Sequence, residues 1–287
     1  MKSSKLEYKI IGDKGPLIVI ENGLCCSMYD WHFVVEALKD RARILLYHRA
    51  GYGNSEHSNV ERTTRNIAIE LDNMLEDIRI DEKFIIVGHS FGGLCVQQYV
   101  KMYPHKIRGV LLLDSTSPDF EKLYCDKTPM MCEKGSIEAT TKGMRESSKK
   151  SIEELRERFQ IEEEQKGLPD DVKSMLEEFY IKPEFYNVTA MEMEKWYEDG
   201  KDIKSCGEFP NVPLRVIARD MKISIQFYVN LGMAEEEAVA YESIWRGLQE
   251  QYTLLSKDSK FIVAEGSDHM IQLEKPKYVT EAIEELL

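Results

Sequence analysis

The chain has 287 residues, 43% apolar and 31% charged, the balance of a water-soluble globular protein. A net charge of −13 and a pI near 5.1 argue against nucleic acid and anionic membrane as partners, because both require a basic face. No apolar run approaches the roughly 20 residues of a spanning helix, and the opening "MKSSKLEYKI" carries no apolar leader, so a cytoplasmic protein is expected. The six cysteines form no C-x-x-C and no Cys/His cluster with zinc spacing. They read as reduced thiols, and no metal is expected.

Short apolar runs alternate with helical patterns, which predicts an α/β protein with a mostly parallel sheet. Strands are expected near residues 6–11, 17–21, 43–48, 83–88, 107–114, 214–219 and 260–265. Between the third and fourth, "TTRNIAIELDNMLEDI" places Ile67, Leu71, Met74, Leu75 and Ile78 on one helical face.

The fourth strand ends in an unusual way, in "KFIIVGHSFGGLCVQQYV" over residues 83–100. A G-x-S-x-G between an apolar strand and a helix is the nucleophile-elbow pattern. Its serine sits on strained backbone, so its neighbours must be small. Gly88 and Gly92 flank Ser90 at two residues' distance, and Gly93 lets the helix pack close to the sheet. Ser90 is thereby placed at a helix N-terminus, where free N–H groups favour negative charge.

The alternation then stops. From 119 to 210 no strand-like run occurs. "SIEELRERFQIEEEQKG", "DDVKSMLEEFY" and "NVTAMEMEKWYEDG" read as charged helices. This stretch holds 23 Asp and Glu against 15 Lys and Arg, a net of −8, so most of the chain's negative charge lies here. A solvated helical surface is the ordinary reading. A lid that tunes the field over a site is the functional one. The expected division is a core of residues 1–118 and 211–287 with a helical cap over 119–210.

A free serine needs a base. Of the six histidines, His89 abuts Ser90 but points its side chain away from the hydroxyl. His32, His57 and His105 lie in helical or loop contexts, and His48 ends a strand. His269 stands in the Gly-Ser-Asp loop of "FIVAEGSDHMIQLEKP", just past the last strand. Loops at the carboxyl ends of parallel strands are where such sheets hold ligands, which makes His269 the candidate base.

The order of Ser90, then an acid, then His269 resembles that of the α/β-hydrolase fold superfamily. "LIVIENGLCCSMYDW" looks like its strand and oxyanion turn. "ARILLYHRAGYGNS" is similar to its Y-D-R-x-G-x-G-x-S segment, and "GSDHMIQLEKPKYV" to its histidine loop. The resemblance covers most of the chain outside 119–210, and the helical stretch falls where these enzymes carry a cap. It implies a lidded serine hydrolase of carboxylesterase type. The chain departs from the pattern in having Asn22-Gly23, preceded by Glu21, where the family often has His-Gly, and His48 where it usually has Asp. The resemblance implies oxyanion donors at the N–H groups of Phe91 and Leu24, with Cys25 and Cys26 following that turn. It places the acid after either of two strands, at Asp114 or at Asp220. The later position is commoner, but there Arg219 replaces the usual glycine, whereas Asp114 fits without a shift. Asp268 adjoins His269 in sequence and cannot readily turn back to orient it.

The expected chemistry is hydrolysis of a small or medium uncharged ester, thioester, lactone or amide through an acyl-enzyme on Ser90, with no cofactor. Dehalogenases and epoxide hydrolases of the same fold use Asp in place of Ser90, because alkyl-ester chemistry needs a carboxylate. Three rivals stay open. One is an aminopeptidase whose cap carboxylates hold a free ammonium. Another is a low-turnover receptor that keeps the triad. The third is a lyase or cofactor-free oxygenase.

Overall fold

The computed structural model describes residues 5–287; the first four, part of the stretch read above for a leader, lie outside the described residues. Seven strands form one sheet in the order β1-β3-β2-β4-β5-β6-β7. They are β1 Tyr8–Ile11, β2 Leu17–Glu21, β3 Arg43–Tyr47, β4 Phe84–His89, β5 Ile107–Leu113, β6 Leu214–Arg219 and β7 Ser259–Ala264. Each lies within two residues of its expected place. All neighbours pair in parallel except β1, which runs antiparallel to β3 with Tyr8 opposite Tyr47. The chain is therefore α/β, with a mostly parallel sheet.

The helices of the first half are α1 His32–Leu38, α2 Thr64–Asp77 and α3 Phe91–Met102. Those between β5 and β6 are α4 Pro129–Glu133, α5 Ile137–Ser147, α6 Ile152–Arg158, α7 Asp170–Tyr180, α8 Pro183–Met193 and α9 Trp196–Ser205. The remainder are α10 Met221–Asn230, α11 Glu235–Gln251, α12 Ile271–Glu274 and α13 Pro276–Glu284. Inner strands covered on both faces read as continuous apolar runs, and alternate residues serve opposite cores. Leu17, Val19, Phe84 and Ile86 face α2 and α3 through Leu71, Leu75, Val96 and Val100. Ile18, Ile20, Ile85 and Val87 face α1 and α13 through Val34, Leu38, Ala282 and Ile283.

Among the described residues no strand lies between β5 and β6. The helix expected from "SIEELRERFQIEEEQKG" is shorter than its charge pattern suggests. It ends at Arg158, where Phe159 turns extended (φ −64°, ψ 133°), and Glu162 and Gln165 cap a separate turn over Glu163–Gln165. The reciprocal cap offers those backbone donors a local partner, so the helix does not need to continue. A second helical pair, α10 and α11, separates β6 from β7 and packs over the same end of the sheet.

Candidate active site

Ser90 is the one residue between β4 and α3, and its backbone is strained at φ 52°, ψ −122°. Hydrogen bonds on both sides hold it there. Its N–H donates to the Leu113 carbonyl at 3.0 Å, and its carbonyl accepts from the N–H groups of Gly93 and Thr116, both at 2.9 Å. The neighbours must be small for a concrete reason. A Cβ at Gly92 would stand 2.3 Å from the Glu21 carbonyl oxygen, and one at Gly88 would stand 2.7 Å from that of Gly92. The first approach brings the turn after β2 against the start of α3, and Leu24 of that turn packs on the Phe91 cluster. Asn22 anchors the turn: its amide donates to the Tyr47 carbonyl at 2.7 Å and its oxygen accepts from the Trp31 indole at 3.0 Å.

His269 meets Asp114. Its Nδ1 donates to Asp114 Oδ2 at 2.6 Å, which leaves Nε2 as the ring's lone-pair nitrogen. The carboxylate is fully buried and its residue has a positive φ of 39°. Burial alone would raise its pKa. The Arg219 charge and the bonds from His269 and Trp245 overcome this and hold it well below the usual carboxylate range. Asp220 is engaged elsewhere. It caps α10 through the Lys222 N–H at 3.0 Å and takes the Gly266 N–H, also at 3.0 Å. Asp268 accepts from the Ser224 hydroxyl, and its own N–H donates to Glu274. His89 packs beside the elbow. Its Nε2–H donates to the His269 carbonyl at 3.0 Å, and its ring centroid lies 4.7 Å from that of His269. Burial, reinforced by the neighbouring His269, pushes the His89 ring down to about 3, so it stays neutral.

Three groups around Asp114 were not singled out as functional in the sequence. Trp245 of α11 donates its indole N–H to Asp114 Oδ1 at 2.8 Å. Arg219, at the end of β6, donates Nη1 to Asp114 Oδ2 at 3.1 Å. Glu242, also on α11, takes both Nε and Nη2 of Arg219. The one sequence signal is Arg219 itself, a bulky cation where the resemblance implies a glycine.

Ser90 and His269 line one cavity of about 720 Å³, walled by aromatic side chains that include Phe120, Trp196, Tyr228 and Trp245. Glu162, Glu163 and Glu164 of the "IEEEQKG" segment line it too. That segment is pinned to the core by the Gln165 amide, which donates to the buried Asp30 at 2.9 Å. A second cavity of about 410 Å³ shares His269, Met270, Glu162 and Glu164 with the first, and is bounded by Leu24, Cys25 and Cys26. The two cysteines thus line a cavity while remaining thiols: burial pushes Cys25 up to about 11 and holds Cys26 well above the ordinary thiol value. Among the described residues no group of three or more His, Cys, Asp or Glu is arranged to hold a metal ion.

Behind the elbow lies a buried ionic cluster. Arg49, just past β3, binds Glu21 at 2.9 Å and, through two nitrogens, Glu192 of α8. Arg62 binds Glu70 at 2.6 Å and Glu192 at 3.3 Å. Tyr52 adds a hydroxyl to Glu192 at 3.0 Å. His48 is a structural link: its Nε2 accepts the Met28 N–H at 3.1 Å, so its Nδ1–H donates to Glu7 at 2.8 Å.

Residues 16–131 match the family model described as alpha/beta hydrolase fold. An AB hydrolase superfamily protein of Gibberella zeae is 23% identical over 291 residues, spanning 96% of this chain and 87% of its own length. Methylesterase 1 of Arabidopsis thaliana is 28% identical over 106 residues, 36% of this chain and 40% of its own. Among solved structures, a thermophilic esterase from Thermogutta terrifontis superposes with a TM-score of 0.64 at 18% identity, over 98% of this chain and 92% of that one. Among the described residues no helix is long and apolar enough to cross a membrane. The match over residues 16–131 and the shared sheet show that the chain has the α/β-hydrolase fold, and its relatives mark it as an enzyme of hydrolase type.

Proposed function

We propose that this enzyme is a serine hydrolase that cleaves a small or medium, uncharged carboxylic ester, or a related lactone, thioester or amide, through an acyl-enzyme on Ser90. One observation carries the reading: Ser90, on strained backbone at a helix N-terminus, lines the same cavity as a histidine whose Nδ1–H is bound to a buried carboxylate. In this reading His269 takes the Ser90 proton as the hydroxyl attacks the carbonyl and returns it to the leaving group. Asp114 holds the imidazole tautomer and stabilises the imidazolium. The N–H groups of Phe91 and Leu24 bind the developing oxyanion, and water then releases the acid. The helical stretch 119–210 acts as the cap; its Phe120 and Trp196 wall the cavity. The methylesterase relative and the solved esterase support carboxylic ester chemistry.

The test is hydrolysis of p-nitrophenyl acetate through octanoate, together with fluorophosphonate labelling, by wild type and Ser90→Ala. Turnover and labelling are both expected in the wild type and both lost in the variant. A folded wild type that neither labels nor turns over would overturn the reading.

A second reading has one observation in its favour. Glu162, Glu163 and Glu164 line the cavity beside His269, as expected of an aminopeptidase that holds a free ammonium. Faster cleavage of p-nitroanilides of free amino acids than of simple esters would select it.

A further inference from the structure

Asp114 accepts four hydrogen bonds, two on each oxygen. Oδ1 takes the Trp245 indole at 2.8 Å and the Arg219 backbone N–H at 3.3 Å. Oδ2 takes His269 Nδ1 at 2.6 Å and Arg219 Nη1 at 3.1 Å. A carboxylate has about four lone-pair positions, so this one is fully occupied and cannot rotate. Arg219 supplies two of the four bonds, one from its backbone and one from its guanidinium. Its side chain is held in turn by Glu242 on one edge and by the Trp245 ring, 4.5 Å away, on its face. Asp114, Arg219 and Glu242 are all buried.

This arrangement raises an electrostatic problem. An imidazolium on His269 needs the full negative charge of Asp114 beside it. A buried guanidinium 3.1 Å from the same oxygen would cancel that charge, and Arg219 cannot shed its proton. Glu242 is where the compensation lies, because it binds the other edge of the same guanidinium.

We propose that Arg219 and Glu242 form a positioning pair for His269: Arg219 locks the Asp114 carboxylate against the ring, and Glu242 cancels the guanidinium charge so that the ring still feels a net anion. The inference rests on the serine-hydrolase reading for its catalytic meaning. The other titratable and charged groups around the couple are His89 of β4, Asp268 next to His269, Glu274 of α12 and the Glu162, Glu163 and Glu164 carboxylates across the cavity, with Tyr228 of α10 and Tyr241 of α11 beside Arg219. Arg246 of α11 binds the Arg219 carbonyl at 2.6 Å. None of these bonds to Asp114, so the sign of the effect is set by Arg219 and Glu242.

The experiment reads charge directly. The His269 ring is titrated by NMR on histidine-labelled protein, assigned by the signal lost in His269→Gln. Wild type is compared with Glu242→Gln, Arg219→Met and the double variant. Glu242→Gln removes an anion, so the midpoint should fall by about one pH unit; Arg219→Met removes a cation, so it should rise by a similar amount. The double variant should return close to wild type. The acid limb of kcat/KM should move with each midpoint while KM stays put. Midpoints that stay within about 0.2 unit, or that move in the same direction in both single variants, would overturn the inference. If Arg219→Met fails to fold, Glu242→Gln decides alone, since Arg219 then keeps Asp114 as its partner. The NMR readout does not require turnover. A wild type that fails to label at Ser90 sinks the hydrolase reading, whereas midpoints that do not respond sink the pair's role.

Discussion

Two of the buried arginines, Arg49 and Arg219, each centre an ionic cluster, and the clusters differ in one respect. Arg49, beside β3, is enclosed by Glu21, Glu192 and the carbonyls of Asn22 and Gly23. Arg219, at the end of β6, is enclosed by Asp114 and Glu242, but Asp114 also holds His269, whose side chain is 34% exposed and lines the main cavity. The Arg49 cluster closes on itself and joins α8 to the sheet. The Arg219 cluster ends on a ring that meets solvent. Buried charge is therefore a poor sign of chemistry by itself. What distinguishes the two is whether the network reaches a cavity through a group that can exchange a proton.

The sharpest way to break the comparison is to disable the open cluster. Asp114→Asn should lower kcat for ester hydrolysis by about 10⁴-fold while leaving the fold intact, because the imidazole loses its tautomer control. Steady-state kinetics beside circular dichroism would show it. The closed cluster should give the opposite pattern. Glu192→Gln leaves Arg49 and Arg62 short of a buried counter-ion and should cost about 3–5 kcal/mol in guanidinium chloride unfolding, with no movement of the pH–rate profile. A shifted profile would mean that the two clusters are coupled.

Smaller effects sharpen the contrast. Asp220→Ala removes the α10 cap and should cost about 1 kcal/mol of stability, with ester turnover unchanged. Loss of turnover on the scale of Asp114→Asn would reassign the acid. Glu7, bound to His48 and Asn54, is a separate half-buried carboxylate. Burial would raise its pKa, but the bonds from His48 and the Asn54 N–H outweigh that and hold it at about 2, against 4.5 unperturbed. A depressed carboxylate stabilises the fold above its unfolded value and loses that contribution as pH falls through its folded one. Wild type should therefore exceed Glu7→Gln by about 1 kcal/mol above pH 4.5, after discounting for Glu7's partial exposure, and the gap should close as pH falls towards 2.

Much of this was legible in the chain. The seven strands could be read because β-branched and leucine runs end at glycine, proline or charge, and the elbow because strain at Ser90 demands glycine at fixed offsets. The antiparallel sense of β1 could not be read, since alternation does not encode direction. The choice between Asp114 and Asp220 was open for a geometric reason. β5 and β6 are neighbours, so both aspartates leave the same edge of the sheet, and only side-chain direction separates them. The Arg219–Glu242 pair joins residues 23 apart on a strand and a later helix, and no local pattern announces such a contact. The helical stretch was legible as helical. Which of its carboxylates are solvated was not, because Glu192 and Glu163 look alike in sequence and differ only in what covers them.

The crowding at the elbow also constrains how this sequence can drift. At Gly88 and Gly92 the obstacles to a side chain include main-chain carbonyls, which no compensating substitution can remove. At Gly93 the obstacle is a side chain: a Cβ there would stand 2.5 Å from that of Ser115. Position 93 is thus tied first to position 115: a glycine at 115 would remove the worst of the clash and leave a tight 3.2 Å approach to the Cα of that residue. Two of the three glycines face obstacles that no side-chain change can remove, and the third depends mainly on what stands at one other position.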